Sequence, residues 1–172
     1  MTAATASATA IEVESFRLQA RMARDTVGAN VHGLTHEDSV IEPRPGGNSL
    51  NWILGHLVWA YEQALPLLGQ DPVLRKGELD RYARGAPGLA SPAEAVNFDQ
   101  LTAAWSEAVE RVDKGLAGLT ADVLEQKAPG SPTKNPNETV RSLVNTILFH
   151  QAYHAGQTGV LRRIAGKSGA IT

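Results

Sequence analysis

The 172-residue chain has no cysteine. Disulfides, thiolate metal ligands and a cysteine nucleophile are excluded together, and any metal must be held through nitrogen or oxygen. Aromatic residues are scarce, at 5%, and neither sign of charge dominates: 16 Lys and Arg against 18 Asp and Glu leave a formal charge of −2. So even a balance lacks the basic footprint that phosphate backbones and anionic lipid surfaces select, and neither nucleic acid nor a membrane is expected as a partner. No apolar run approaches the roughly 18–20 uncharged residues of a spanning helix. The opening "MTAATASATA", residues 1–10, lacks the basic start and apolar stretch of a signal peptide. It reads as a disordered lead-in to a cytoplasmic protein.

Strand patterning is missing too, since no stretch alternates β-branched and polar residues. With 42% apolar residues, the remainder, 11–172, is long enough to bury one core. Helical periodicity occupies four segments. The first runs from Ile11 to His32, with Phe16, Met22, Val27 and Val31 on its apolar side and Gly33 as its stop. The second, capped by Asn48 or Ser49, reads "SLNWILGHLVWAYEQALPLLG", with Pro66 shortening its end. "SPAE" at 91–94 signals the start of the third, whose buried stripe is Leu101, Trp105, Ala108, Val112 and Leu116. The fourth starts at "NPNE", 135–138, and continues to Gly166, roughly 45 Å at 1.5 Å per residue. A Gly-, Pro- and Arg-rich connection separates segments two and three. The expected fold is all-α, a four-helix bundle with that long crossover connection.

A weak internal repeat accompanies the helices. "NWILGH" at 51–56 matches "NTILFH" at 145–150, and "GLTHED" at 33–38 resembles "GLTADV" at 118–123. The repeat makes His56 and His150 equivalent.

On the fourth helix, Leu143, Ile147, His150, His154, Gln157, Leu161 and Ile164 share a stripe about 100° wide. On the second, Trp52, His56, Trp59, Ala60, Gln63 and Leu67 do the same. Three histidines therefore point to one interior. A lone inward histidine is usually a packed residue, but three adjacent imidazoles repel when protonated and leave several nitrogens to satisfy. A divalent cation satisfies three lone pairs at once. Residues i and i+4 have Cβ atoms about 6 Å apart, so both rings can reach one ion at roughly 2.0–2.1 Å. His56, His150 and His154 are thus the candidate metal ligands. Zinc is the default, with nickel, iron and manganese as alternatives for an all-imidazole set. Three neutral ligands leave an open position, as in a catalytic site.

Other residues carry weaker signals. His32 and His36 are also four apart, but Gly33 breaks the helix between them. Gln157 could orient a ligand or fill a core gap; Glu62 lies off the His56 stripe and reads as solvated. Trp52, Trp59 and Trp105 read as core, with a pocket-lining role as the alternative. Arg75, Lys76, Arg81 and Arg84 read as solvated unless their connection folds over the metal, where one could hold a substrate carboxylate.

"NSLNWILGHLVWA" followed some ninety residues later by "HQAYHAGQTGVLRRIAG" resembles the DinB/YfiT-like family of four-helix-bundle metalloenzymes. The match runs from about residue 11 to 166, and its specific parts are N-x-x-x-G-H and H-x-x-x-H-x-G-Q. The resemblance implies that His56, His150 and His154 bind a divalent metal, and it implies a cytoplasmic bacterial homodimer. It further implies a small-molecule substrate and thiol (S-) transfer using a low-molecular-weight bacterial thiol. Metal-dependent hydrolysis and a non-catalytic, stress-associated metal-binding dimer are the alternatives.

Overall fold

The computed structural model describes residues 3–171, and all regular structure among them is helical. Six α-helices appear: α1 (Ala3–Val31), α2 (His36–Ser39), α3 (Leu50–Ala64), α4 (Phe98–Ala117), α5 (Ala121–Leu124) and α6 (Val140–Ile164). The four long ones pack in a ring, α1 on α4, α4 on α3, α3 on α6 and α6 on α1.

Side-chain pairs fix their directions. Glu12 meets Arg141 and Asn30 meets Thr158, so α1 and α6 run parallel. Arg17 pairs with Asp113 near the far end of α4, so those two run antiparallel. Asn51 reaches the Val96 carbonyl where α3 and α4 begin, and Tyr61 stacks on Trp105 further along. Helices α3 and α4 are therefore parallel, which requires the expected long crossover connection, residues 65–97, to return the chain to the same end. Its path is set by Tyr82, fully buried against α3.

Local chemistry explains each boundary. Ser49 accepts from the Trp52 N–H and caps α3; Pro66 follows Ala64 and opens a 3₁₀ turn, Pro66–Leu68. Gly33, at φ 71°, ends the chain's first helix, and Leu34 and Thr35 lead into α2. The Gly-Leu-Thr echo has a physical basis, because Thr35 and Thr120 are the N-caps of the two four-residue helices and Leu34 and Leu119 are both buried.

Several boundaries differ from expectation. The predicted disordered lead-in over 1–10 is helical from Ala3 onward, its small alanine-rich residues extending α1, while Met1 and Thr2 lie outside the described residues. Met22 is 61% exposed. Phe16, Val27 and Val31 are buried as expected, and Ala20 and Ala23 complete the face in place of Met22, because close approach to both α4 and α6 favours alanine there. "SPAE" forms only a 3₁₀ turn, Pro92–Glu94; Ser91 makes no cap bond, and Asn97 caps α4 by accepting from Asp99 and Gln100 N–H. Similarly, α6 starts at Val140, with Thr139 and Ser142 forming a capping box. The residues before it are drawn out of the helix by pairing with 126–128, through Ala128 N–H to the Glu138 carbonyl and Val140 N–H to the Gln126 carbonyl, both 2.9 Å.

Candidate metal centre

The motif N-x-x-x-G-H on α3 is a grip on Tyr82. Asn51 accepts from the Tyr82 hydroxyl at 2.7 Å and donates to the Val96 carbonyl at 2.9 Å, while Val96 N–H donates to the same hydroxyl at 2.8 Å. Gly55 leaves the space for the ring: a Cβ there would lie 2.5 Å from Tyr82 Cγ. His56, next in sequence, donates Nδ1–H to the Tyr82 carbonyl at 2.6 Å. A carbonyl can only accept, so the proton sits on Nδ1 and the lone pair on Nε2.

The His56 ring lies between two indoles on its own helix, Trp52 one turn before and Trp59 one turn after, with centroids 4.9 and 5.5 Å away and nearly parallel planes. Stacking and the Tyr82 bond together fix its orientation. Across the ring of helices, α6 presents His150 and His154, their centroids 4.5 Å apart and each 5.0 Å from that of His56. His56 Nε2 and His150 Nε2 approach to 3.0 Å. His154 Nδ1–H donates to Gln157 Oε1 at 2.6 Å, leaving its Nε2 lone pair available.

One nitrogen from each ring lies within 4.8 Å of the others, a cluster that could hold a metal ion. The donor set fits. Tetrahedral zinc–nitrogen bonds near 2.0–2.1 Å put ligand nitrogens roughly 3.3 Å apart, close to the 3.0 Å approach of His56 and His150. Two of the three rings also carry the carbonyl-type partner on their second nitrogen that ligating histidines need. Electrostatics point the same way. Burial pushes the His150 imidazole down to about 4, with the neighbouring charges of His154, His56 and Arg84 adding to the effect. Burial likewise lowers His56 and His154, against the opposing pull of the Tyr82 carbonyl and of Gln157. All three shifts favour the neutral imidazole near pH 7.

The cluster opens into a cleft of about 880 Å³, walled by Trp59, Leu67, Leu143, Ile147, Tyr153 and the 129–133 loop. That loop is held by Glu138, a 4% exposed carboxylate that accepts from the Ser131, Thr133 and Ser142 hydroxyls and whose pKa those bonds lower.

The histidine stripe is not the core stripe. Val144, Leu148, Gln151, Ala155 and Thr158 are buried on α6, and of the histidine stripe only Leu161 joins them; Leu143, Ile147, His150 and His154 are half-buried and line the cleft, Gln157 is half-buried beside His154, and Ile164 is exposed. On α3, Gln63 is exposed at the cleft wall rather than buried. His32 and His36 lie apart from the cluster. Glu62 accepts from Val73 N–H at 2.8 Å and so tethers the long connection. Trp105 is core, stacked on Tyr61; Trp52 and Trp59 serve His56. Arg75 and Lys76 are exposed, Arg81 donates to the Glu94 carbonyl, and Arg84 alone of the four lines the cleft. Sequence reasoning missed Tyr82, because its contribution is a backbone carbonyl, and missed Glu138, which "NPNE" disguised as a capping residue.

The sequence profile of the DinB superfamily matches residues 19–158. The chain belongs to the DinB superfamily. The matched span holds all three histidines, Tyr82 and Gln157. A similar fold is seen in the crystal structure of a conserved protein from Enterococcus faecalis, 18% identical, with a TM-score of 0.69 over 90% of this chain and 97% of that one. No protein with a curated description matches this DinB-superfamily chain in sequence. No helix among its described residues is long and apolar enough to cross a membrane.

Proposed function

We propose that this DinB-superfamily protein is a divalent-metal-dependent transferase in which His56, His150 and His154 hold the ion, zinc in the first instance, and a low-molecular-weight thiol is the group transferred to an electrophilic small molecule. The observation that carries this reading is the cluster of three imidazoles opening onto a cleft whose wall, among the described residues, has no carboxylate. A bound divalent ion supplies Lewis acidity, which draws the proton from a thiol near neutral pH.

The chain's own residues do the rest. Tyr82 and Gln157 hold the proton on Nδ1 of His56 and His154, directing both Nε2 lone pairs inward. Trp59, Ile147 and Leu143 line the cleft with apolar surface that excludes water and takes the substrate's carbon skeleton. With no carboxylate among the described wall residues to serve as general base, deprotonation of the nucleophile would fall to the ion, and the apolar wall is what favours an organic thiol over water.

The working form is proposed as a cytoplasmic homodimer. The apolar ridge of Phe149, Tyr153, Val160 and Ile164 exposed along α6 supports the dimer.

Cobalt substitution tests the proposal. The wild-type protein should take up one cobalt per chain, and a small thiol should shift its d–d bands and add a sulfur-to-metal charge-transfer band, while the matching alcohol does not. His154→Ala should lose stoichiometric metal and keep its helical circular dichroism. Unchanged metal content in that variant would refute the ligand assignment, and d–d bands indifferent to thiols would refute thiol transfer.

A further inference from the structure

Among the described residues that line the cleft, Arg84 is the one arginine, and neither lysine nor an acid joins it. It stands on the connection between α3 and α4, and its Nη1 donates across the mouth to the Pro132 carbonyl at 2.5 Å. Among the described residues Arg84 pairs with no carboxylate, as is also true of Arg44, Arg75, Arg81, Arg162 and Arg163, but of these six it alone lines the cleft. One carbonyl occupies one of its five N–H donors.

The geometry points to Arg84 as the residue that selects the cleft's ligand: its guanidinium takes the carboxylate of an amphipathic organic anion whose apolar body lies on Trp59, Ile147 and Tyr153. This deepens the small-molecule reading given above and rests on it for the occupant. The planar fork matches a carboxylate in two parallel hydrogen bonds, and the Pro132 contact holds that fork over the mouth. An exposed arginine–carboxylate pair is weak when both ends are solvated. Here the ligand's body, seated against the indole and aliphatic wall, covers one side of the pair and removes the competing water. No acid among the described residues of the wall opposes the anion. The histidine cluster lines the same cleft, so a ligand held at its carboxylate by Arg84 has its body beside the proposed metal ligands.

The test compares 3-phenylpropionate with 3-phenylpropionamide, nearly equal in shape and different in charge, by calorimetric titration of the full chain in metal-free and cobalt-loaded forms. Wild type should bind the carboxylate about tenfold more tightly than the amide, the scale of one charge-assisted pair. Arg84→Gln should remove that gap by weakening the carboxylate alone, and Arg84→Lys should restore part of it. Arg75→Gln, on the same connection, should leave the gap intact. Melting curves of both glutamine variants check that the fold is unchanged. The inference is overturned if Arg84→Gln keeps the preference, if wild type has none, or if neither probe binds. A preference that needs cobalt and survives Arg84→Gln assigns the anion to the ion and also overturns it. Failure to load cobalt, with an Arg84-dependent preference intact in the metal-free chain, refutes the metal reading and leaves this one standing.

Discussion

Replacing Gly55 with alanine should loosen the histidine cluster from a distance of one residue. The added Cβ would stand 2.5, 2.6 and 2.7 Å from Cγ, Cδ2 and Cδ1 of Tyr82, against roughly 3.5–4.0 Å for an unstrained carbon contact. The ring must retreat by about 1 Å. It has little freedom to do so, being fully buried and held at its hydroxyl by Asn51 and Val96. Overpacking of this kind costs about 1–3 kcal/mol, and stretching one buried hydrogen bond adds about 1 kcal/mol. The better helix propensity of alanine returns about 1 kcal/mol. A net loss of about 2 kcal/mol corresponds to a fall of about 5 °C in Tm for a domain of this size.

The second consequence is specific to the site. A 1 Å retreat carries the Tyr82 carbonyl with it, stretching the 2.6 Å bond from His56 Nδ1 beyond hydrogen-bond range. Losing such an orienting partner typically lowers metal affinity about 10–100-fold. Calorimetry for Tm and chelator competition for cobalt affinity provide the readouts. Gly28→Ala is the control, because a Cβ on that α1 residue meets nothing within 4 Å. It should raise stability slightly and leave cobalt affinity alone. Gly55→Ala with wild-type Tm and wild-type affinity would refute the argument that the glycine exists to admit Tyr82.

Two further outcomes follow from the same contacts. Gln157→Ala leaves His154 Nδ1 without its acceptor, so cobalt affinity should drop about 10–100-fold with unchanged helical circular dichroism; equal affinity would show that Gln157 is only filling space. The Asp113 carboxyl is held below the usual aspartate range, first by its hydrogen bond from Arg17. A depressed folded value means that its stabilisation is complete above the ordinary pKa of about 3.9 and fades as pH falls through the lower folded value. Asp113→Asn should therefore lose stability at neutral pH and show a shallower acid decline, read from urea midpoints between about pH 7 and 2.5. Parallel wild-type and variant curves would refute the pairing.

The sequence announced α3 and α4 clearly, because their apolar positions repeat at helical spacing and Ser49 sits at the cap it later occupies. It announced the histidine cluster through spacing on two segments and the echo of "NWILGH" in "NTILFH". Helix α1 was less legible, since a face built from Ala20 and Ala23 has almost no hydrophobic contrast. The starts of α4 and α6 were misplaced for a related reason. "SPAE" and "NPNE" are both competent caps, and only tertiary pairing, of Val96 with Tyr82 and of 126–128 with 138–140, moved the helices to Asn97 and Thr139.

Residue type and period by themselves determined that His56, His150 and His154 share one side of the fold, that no thiolate can join them, and that the chain is helical. Which flank they occupy was decided by packing. On α6 two adjoining faces are apolar enough to be core, and the approach of α1 and α3 chose Leu148 and Ala155 for burial, leaving the histidines half-covered beside a cleft. The tautomers were decided there too. A backbone carbonyl 26 residues away in sequence sets the proton on His56, and a carbonyl carries no side-chain signature, so its place becomes known only when the connection has folded back onto α3.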